Sequence, residues 1–93
     1  MDIHRENGWG ELMSTVGKKC HKLLIKLLIE ARKEKGITQT TLAKRLKKHN
    51  QNWVARLESG ERRVDVCELI LLGKAIGFDP VAVMRQVCKV VKV

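Results

Sequence analysis

Two side-chain amides, Gln51 and Asn52, open a short helical pattern and are the residues of this chain best suited to specific chemistry. A carboxamide carries a donor and an acceptor side by side, the arrangement that matches the N6/N7 edge of an adenine. That chemistry is recognition rather than catalysis. Nowhere does the chain bring together a nucleophile, a base and an oxyanion donor, and it has no phosphate-cradling loop. Cys20, Cys67 and Cys88 lie 47 and 21 residues apart, and His4, His21 and His49 do not complete a metal-ligand cluster with them. The expectation is a non-enzymatic protein with no metal or cofactor, its thiols reduced in the cytoplasm.

Charge points the same way. The 93 residues carry a net charge of +9, and the excess is uneven. Residues 1–17 hold one base and three acids, residues 18–48 eleven bases and two acids, and residues 49–93 seven bases and five acids. A basic excess on one part of a surface suits a polyanion, since each neutralised phosphate releases condensed counterions. No apolar run is long enough to span a bilayer, the longest being the seven residues 23–29, interrupted by Lys26.

The elements that must position the amides follow from periodicity and caps. Residues 1–17, with Gly8, Gly10 and Gly17 among scattered charges, predict a mobile arm with Trp9 as its one docking feature. Leu24, Leu27, Leu28 and Ala31 predict a helix over 18–35 ended by Gly36, with Ile25 and Ile29 widening its apolar arc. Thr38 caps a second helix over 39–47 whose inner side is Leu42, Ala43 and Leu46. Residues 47–50 form a polar turn. Asn50 then caps a third helix over 51–58, with Val54 and Leu57 inward and Ser59 and Gly60 as its stop. Asp65 and Glu68 have capping-box spacing for a fourth helix ending at Gly77, and Asp79-Pro80 starts a fifth that runs to about residue 91. With only 3% aromatic residues and no strand pattern, the fold class is all-α.

The motifs GITQTTLAKRL, QNWVARLESGERRVDV and LILLGKAIGFDP occur in that order. Through them, residues 22–80 resemble the Cro/repressor-type helix-turn-helix domains, the xenobiotic-response-element family. The resemblance implies a compact five-helix, phage-repressor-like domain over 18–93 that docks its third helix in the major groove of double-stranded DNA. It implies base contacts from Gln51, Asn52, Ala55 and Arg56. The amides suit adenine, Arg56 the O6/N7 edge of guanine, and Ala55 a thymine methyl. It implies phosphate contacts from Gln39 at the start of helix two and from Ser59, Arg62 and Arg63 in the loop after helix three. Arg32 and Glu58 match a family pair that bridges helix one to the end of helix three, a structural role. Trp53 is expected to pack over the turn. The chain departs from the pattern at Lys47, which stands where relatives usually have Gly, and the turn carries one extra residue. A left-handed turn residue without Gly costs about 1 kcal/mol, and Asn50 tolerates it better than Lys.

The implied function is a sequence-specific transcriptional regulator, a repressor acting as a homodimer through Val83, Val87, Val90 and Val91. Those valines could instead cover Ile25 and Ile29 within one chain. An antitoxin-like module that masks a partner toxin, using residues 1–17 and the apolar face of helix one, is the alternative from another class. A nonspecific nucleoid or RNA binder fits the charge but not the amide-led helix.

Overall fold

The computed structural model describes residues 7–48 and 50–90, with side chains from Gly17 onward. Its elements are α1 (Asn7–Glu34), α2 (Gln39–Arg45), α3 (Asn52–Glu58), α4 (Val66–Ile76) and α5 (Pro80–Cys88), with no strand among the described residues. α1 begins eleven residues earlier than Lys18, so most of the segment expected as an arm has helical backbone. Extending an existing helix requires no new nucleus. Glu11, Leu12 and Met13 favour extension, which here outweighs about 1 kcal/mol for each of Gly8, Gly10 and Gly17.

The helix ends are set by local chemistry. The Thr38 side chain accepts from the Thr41 N–H at 3.0 Å and starts α2. The Asp65–Glu68 capping box forms in both directions, at 2.7 and 3.1 Å, and starts α4. Asp79 accepts from the Val81 N–H at 3.0 Å, with Pro80 in the first turn of α5. At the end of α1, the Gly36 N–H donates to the Lys33 carbonyl and the Ile37 N–H to the Arg32 carbonyl, a Schellman closure with Gly36 at φ 71°. The same pair of bonds ends α2, where Lys47 N–H donates to Lys44 and Lys48 N–H to Ala43. Here the left-handed residue is Lys47 itself, at φ 58°, rather than Asn50. Asn50 caps instead, its Oδ1 accepting from the Asn52 N–H at 2.9 Å. α3 therefore starts at Asn52, one residue later than expected, with Gln51 at its threshold.

The core is Ile25, Leu28, Ile37, Leu42, Ala43, Val54, Leu57, Leu69, Leu72 and Ile76. Among the described residues the buried apolar side chains of α1 are Ile25 and Leu28, with Leu24, Ile29 and Ala31 packed beside them, so its inward face is rotated toward Ile25 from the expected face of Leu24, Leu27, Leu28 and Ala31. The rotation follows from packing: α3 and α5 both lie on α1, and they take Ile25 and Ile29 into the cluster. Val83 packs against the same cluster, so this valine serves its own chain's core rather than an outer surface. The connection into α5 passes close to α4 at the buried Gly73, where an added Cβ would meet the Phe78 carbonyl oxygen at 2.9 Å and Pro80 Cδ at 3.0 Å. Ala43 and Val54, 1% and 0% exposed, lie on the two helices of the turn, α2 and α3, which pack on each other.

Candidate nucleic-acid interface

The site is built around the start of α3. Gln51, Asn52 and Arg56 are exposed and Ala55 is half-buried, while Val54 and Leu57 anchor the other side of the helix in the core. Asn52 and Arg56 line an open groove with Lys48, Asn50 and Trp53. His49, in the turn, lies outside the described residues.

A polar relay runs from the interior to Gln51. The Arg32 guanidinium donates to both carboxylate oxygens of Glu58, at 2.6 and 3.0 Å, and to the Ile37 carbonyl at 2.8 Å. The two side chains of this pair are only 10% and 9% exposed. Gln39 Nε2 donates to Glu58 Oε1 at 2.8 Å, and Gln51 Nε2 donates to Gln39 Oε1 at 2.9 Å. Its direction is dictated chemically. Arg32 has only donors and Glu58 only acceptors, so Gln39 must turn its NH₂ inward and offer its oxygen to Gln51. Gln51 then keeps its own oxygen and one N–H for an outside partner. Gln39 keeps a single N–H beyond its two relay bonds.

The loop residues fare differently from one another. Ser59 Oγ lies 3.0 Å from the Arg56 carbonyl oxygen and 3.1 Å from Glu61 Oε2. Glu61 also approaches Arg56 Nε at 3.8 Å, in the open. Arg62 is turned back onto the protein: it is ion-paired with Glu68 and its guanidinium lies 4.6 Å from the centroid of the Trp53 ring. Lys48 Nζ lies 4.7 Å from the same centroid, so half-buried Trp53 packs at the turn as a platform for two cations. Arg45, next to the site in sequence, donates to the Ala75 carbonyl at 2.7 Å and closes the end of α4.

Arg63 is exposed and faces α1. It lines a cleft with Ser59 and Gly60 on one wall and Lys18, Lys19 and Lys22 on the other. His21, on the same stretch of α1, is half-buried and held below the usual histidine range. Burial is the main cause and the Arg63 charge the second, while a hydrogen bond to the Arg62 backbone acts in the opposite sense. Residue order alone leaves these lysines as a solvated ring on helix one. Their i, i+3 and i+4 spacing is the only sequence signal that they share a face.

Among the described residues, no helix is long and apolar enough to cross a membrane and no group of potential ligands could hold a metal ion. The helix-turn-helix family matches residues 28–83. The solved structure of an XRE-family like protein from Pseudomonas syringae pv. tomato str. DC3000 is 36% identical, covers 86% of this chain and 96% of its own, and superposes with a TM-score of 0.79. Comparison with curated proteins gave no match. With a helix-turn-helix of this order and a relative of this likeness, the chain belongs to the XRE-type helix-turn-helix family, whose fold is that of DNA-binding regulators rather than of an enzyme family.

Proposed function

We propose that this protein is a sequence-specific regulator of transcription, a repressor that binds double-stranded DNA in the cytoplasm as a homodimer with α3 in the major groove. The observation that carries the reading is the relay Arg32–Glu58–Gln39–Gln51. It orients the Gln51 amide before DNA arrives, with an acceptor and a donor left over, the pair that an adenine edge requires. A pre-oriented side chain loses less rotamer freedom on binding, so more of each base contact reaches the affinity. Asn52 and Arg56 stand exposed on the same short helix and extend the readout, with Ala55 at a thymine methyl. Phosphates are taken by the remaining N–H of Gln39, by Ser59 and by Arg63. Arg62 contributes by bracing Trp53 and, through Glu68, the start of α4. Its role at a phosphate requires release from Glu68.

One α3 reads too few base pairs to select among genomic sites, which is the physical reason for a dimer. Val66 and Ile70 of α4 and Val81 and Met84 of α5 are exposed apolar residues, from 40% to 61%, and supply surface for it. These replace Val83 in that role. Val87 and Val90 are half-buried, and Val91 lies outside the described residues. Selection of bound duplexes from a random pool tests the whole reading. The expected product is a two-fold-symmetric site with half-sites about one helical turn apart. A pool that enriches no sequence would overturn it, and copurification of a small partner protein in place of a dimer would favour the antitoxin-like role.

A further inference from the structure

We propose that the cleft between α1 and the loop after α3, walled by Lys18, Lys19 and Lys22 on one side and Ser59, Gly60 and Arg63 on the other, is a second DNA-backbone site that grips phosphates flanking the base pairs read by α3. The inference rests on the groove-docking reading above and extends the footprint beyond it.

Three observations carry it. First, four cations line one cleft and no acid lines it, among the described residues. Lys18, Lys19, Lys22 and Arg63 are all exposed there. Lys18 and Lys22 are four apart on a helix and Lys19 and Lys22 three apart, so like charges face one another, an arrangement that disfavours the helix and is relieved by an anion. Second, His21 also lines the cleft, and its charged form is disfavoured first by burial and then by the charge of Arg63 on the opposite wall. Third, the cleft lies where a backbone would run. Its loop wall follows directly on α3, while the start of α3 carries the amides that face the bases. The strand bordering the groove passes the loop at Ser59–Arg63, and α1 carries the lysines on outward from there. A chain of phosphates, rather than one anion, matches an open cleft whose charges come from two walls.

The test compares wild type with Lys18→Gln/Lys19→Gln/Lys22→Gln, measuring Kd against salt on a duplex with long flanks and on one trimmed to the base pairs that α3 reads. Each phosphate contact contributes about 0.9 to the slope of log K on log salt, so the triple variant is expected to lose about 2–3 of that slope. The loss should be equal for selected and random sequences. Trimming should reduce the wild-type slope by a similar amount and leave the variant's unchanged. An unchanged slope, or an equal loss on trimmed and long duplexes, overturns the cleft as a flanking site. Because the slope is also read on random duplex, the cleft can succeed where selection finds no specific site. Conversely, Gln51→Ala should lose preference among sequences with its slope intact, which separates failure of the base readout from failure of the cleft. The three lysines are exposed, and a matching thermal unfolding curve for the variant verifies that the fold is retained.

Discussion

Removing the Glu58 carboxylate should do more harm than removing any exposed charge in the molecule. In Glu58→Ala, the Arg32 guanidinium loses its bonds from Nε and from one terminal nitrogen and keeps only the one to the Ile37 carbonyl. The Gln39 amide loses its inward partner as well. Arg32 is 8% exposed, so its charge stays inside with most of its compensation gone. Breaking a buried pair from one side costs about 3–5 kcal/mol, most of it from the stranded partner. For a domain of this length each kcal/mol lowers Tm by about 4–8 °C, which puts the drop at roughly 12–40 °C. The assay is thermal unfolding followed by far-ultraviolet circular dichroism at fixed protein concentration, since dimerisation couples Tm to concentration. Glu58→Gln, which keeps one acceptor oxygen, should fall between wild type and Glu58→Ala. The double variant Arg32→Met/Glu58→Leu should recover most of the loss, because apolar residues of similar volume replace a buried pair at little or no cost. A Tm for Glu58→Ala within about 3 °C of wild type, against the shift expected from its burial, would refute the reasoning.

Lys47→Gly should raise stability by about 1 kcal/mol, since Lys47 holds a left-handed φ that a Cβ disfavours; a lower Tm would contradict this. Gln51→Ala should weaken binding to a selected site by about 1–3 kcal/mol and relax preference at one base position, while Arg63→Ala should weaken selected and random duplexes alike. Electrophoretic mobility shifts on both kinds of duplex read the difference. Burial, and secondly the Arg63 charge, hold His21 below the ordinary histidine value of 6.5 in the folded state, so the unfolded chain binds its proton more readily. Stability should therefore decline as pH falls below 6.5 and level off below the folded value, and His21→Gln should show a shallower decline in urea unfolding midpoints. Identical pH slopes for the two proteins would exclude His21 as a source.

Much of this architecture is legible in the sequence alone. Thr38, the Asp65–Glu68 pair and Asp79-Pro80 mark helix starts because a cap involves residues two or three apart, and such contacts exist as soon as the chain turns. Gly36 and Gly77 mark ends for the same reason, each with positive φ. The start of α1 is not legible in this way. Three glycines break the pattern, and propagation from a helix already formed carries the backbone through them. Lys47 is a subtler case: the missing glycine is visible in sequence, but only the paired bonds to Lys44 and Ala43 identify Lys47, and not Asn50, as the left-handed residue.

At the candidate site, residue types sorted the exposed amides of α3 from the scaffold at Ala43, Val54, Leu57 and Glu58. They could not distinguish Arg62 from Arg63. These neighbours have the same chemistry, yet one is tied to Glu68 and Trp53 and the other faces a cleft of lysines forty residues earlier in the chain. What the sequence by itself determined was the list of helices, their ends and the helix-turn-helix order, because caps, periodicity and glycine positions act over a few residues. Only the tertiary structure decided which face of α1 is buried, which way the Gln51 amide turns and which cations remain exposed. Those depend on partners twelve to forty-five residues away, and a side chain's free donors are known only once the packed chain has used the others.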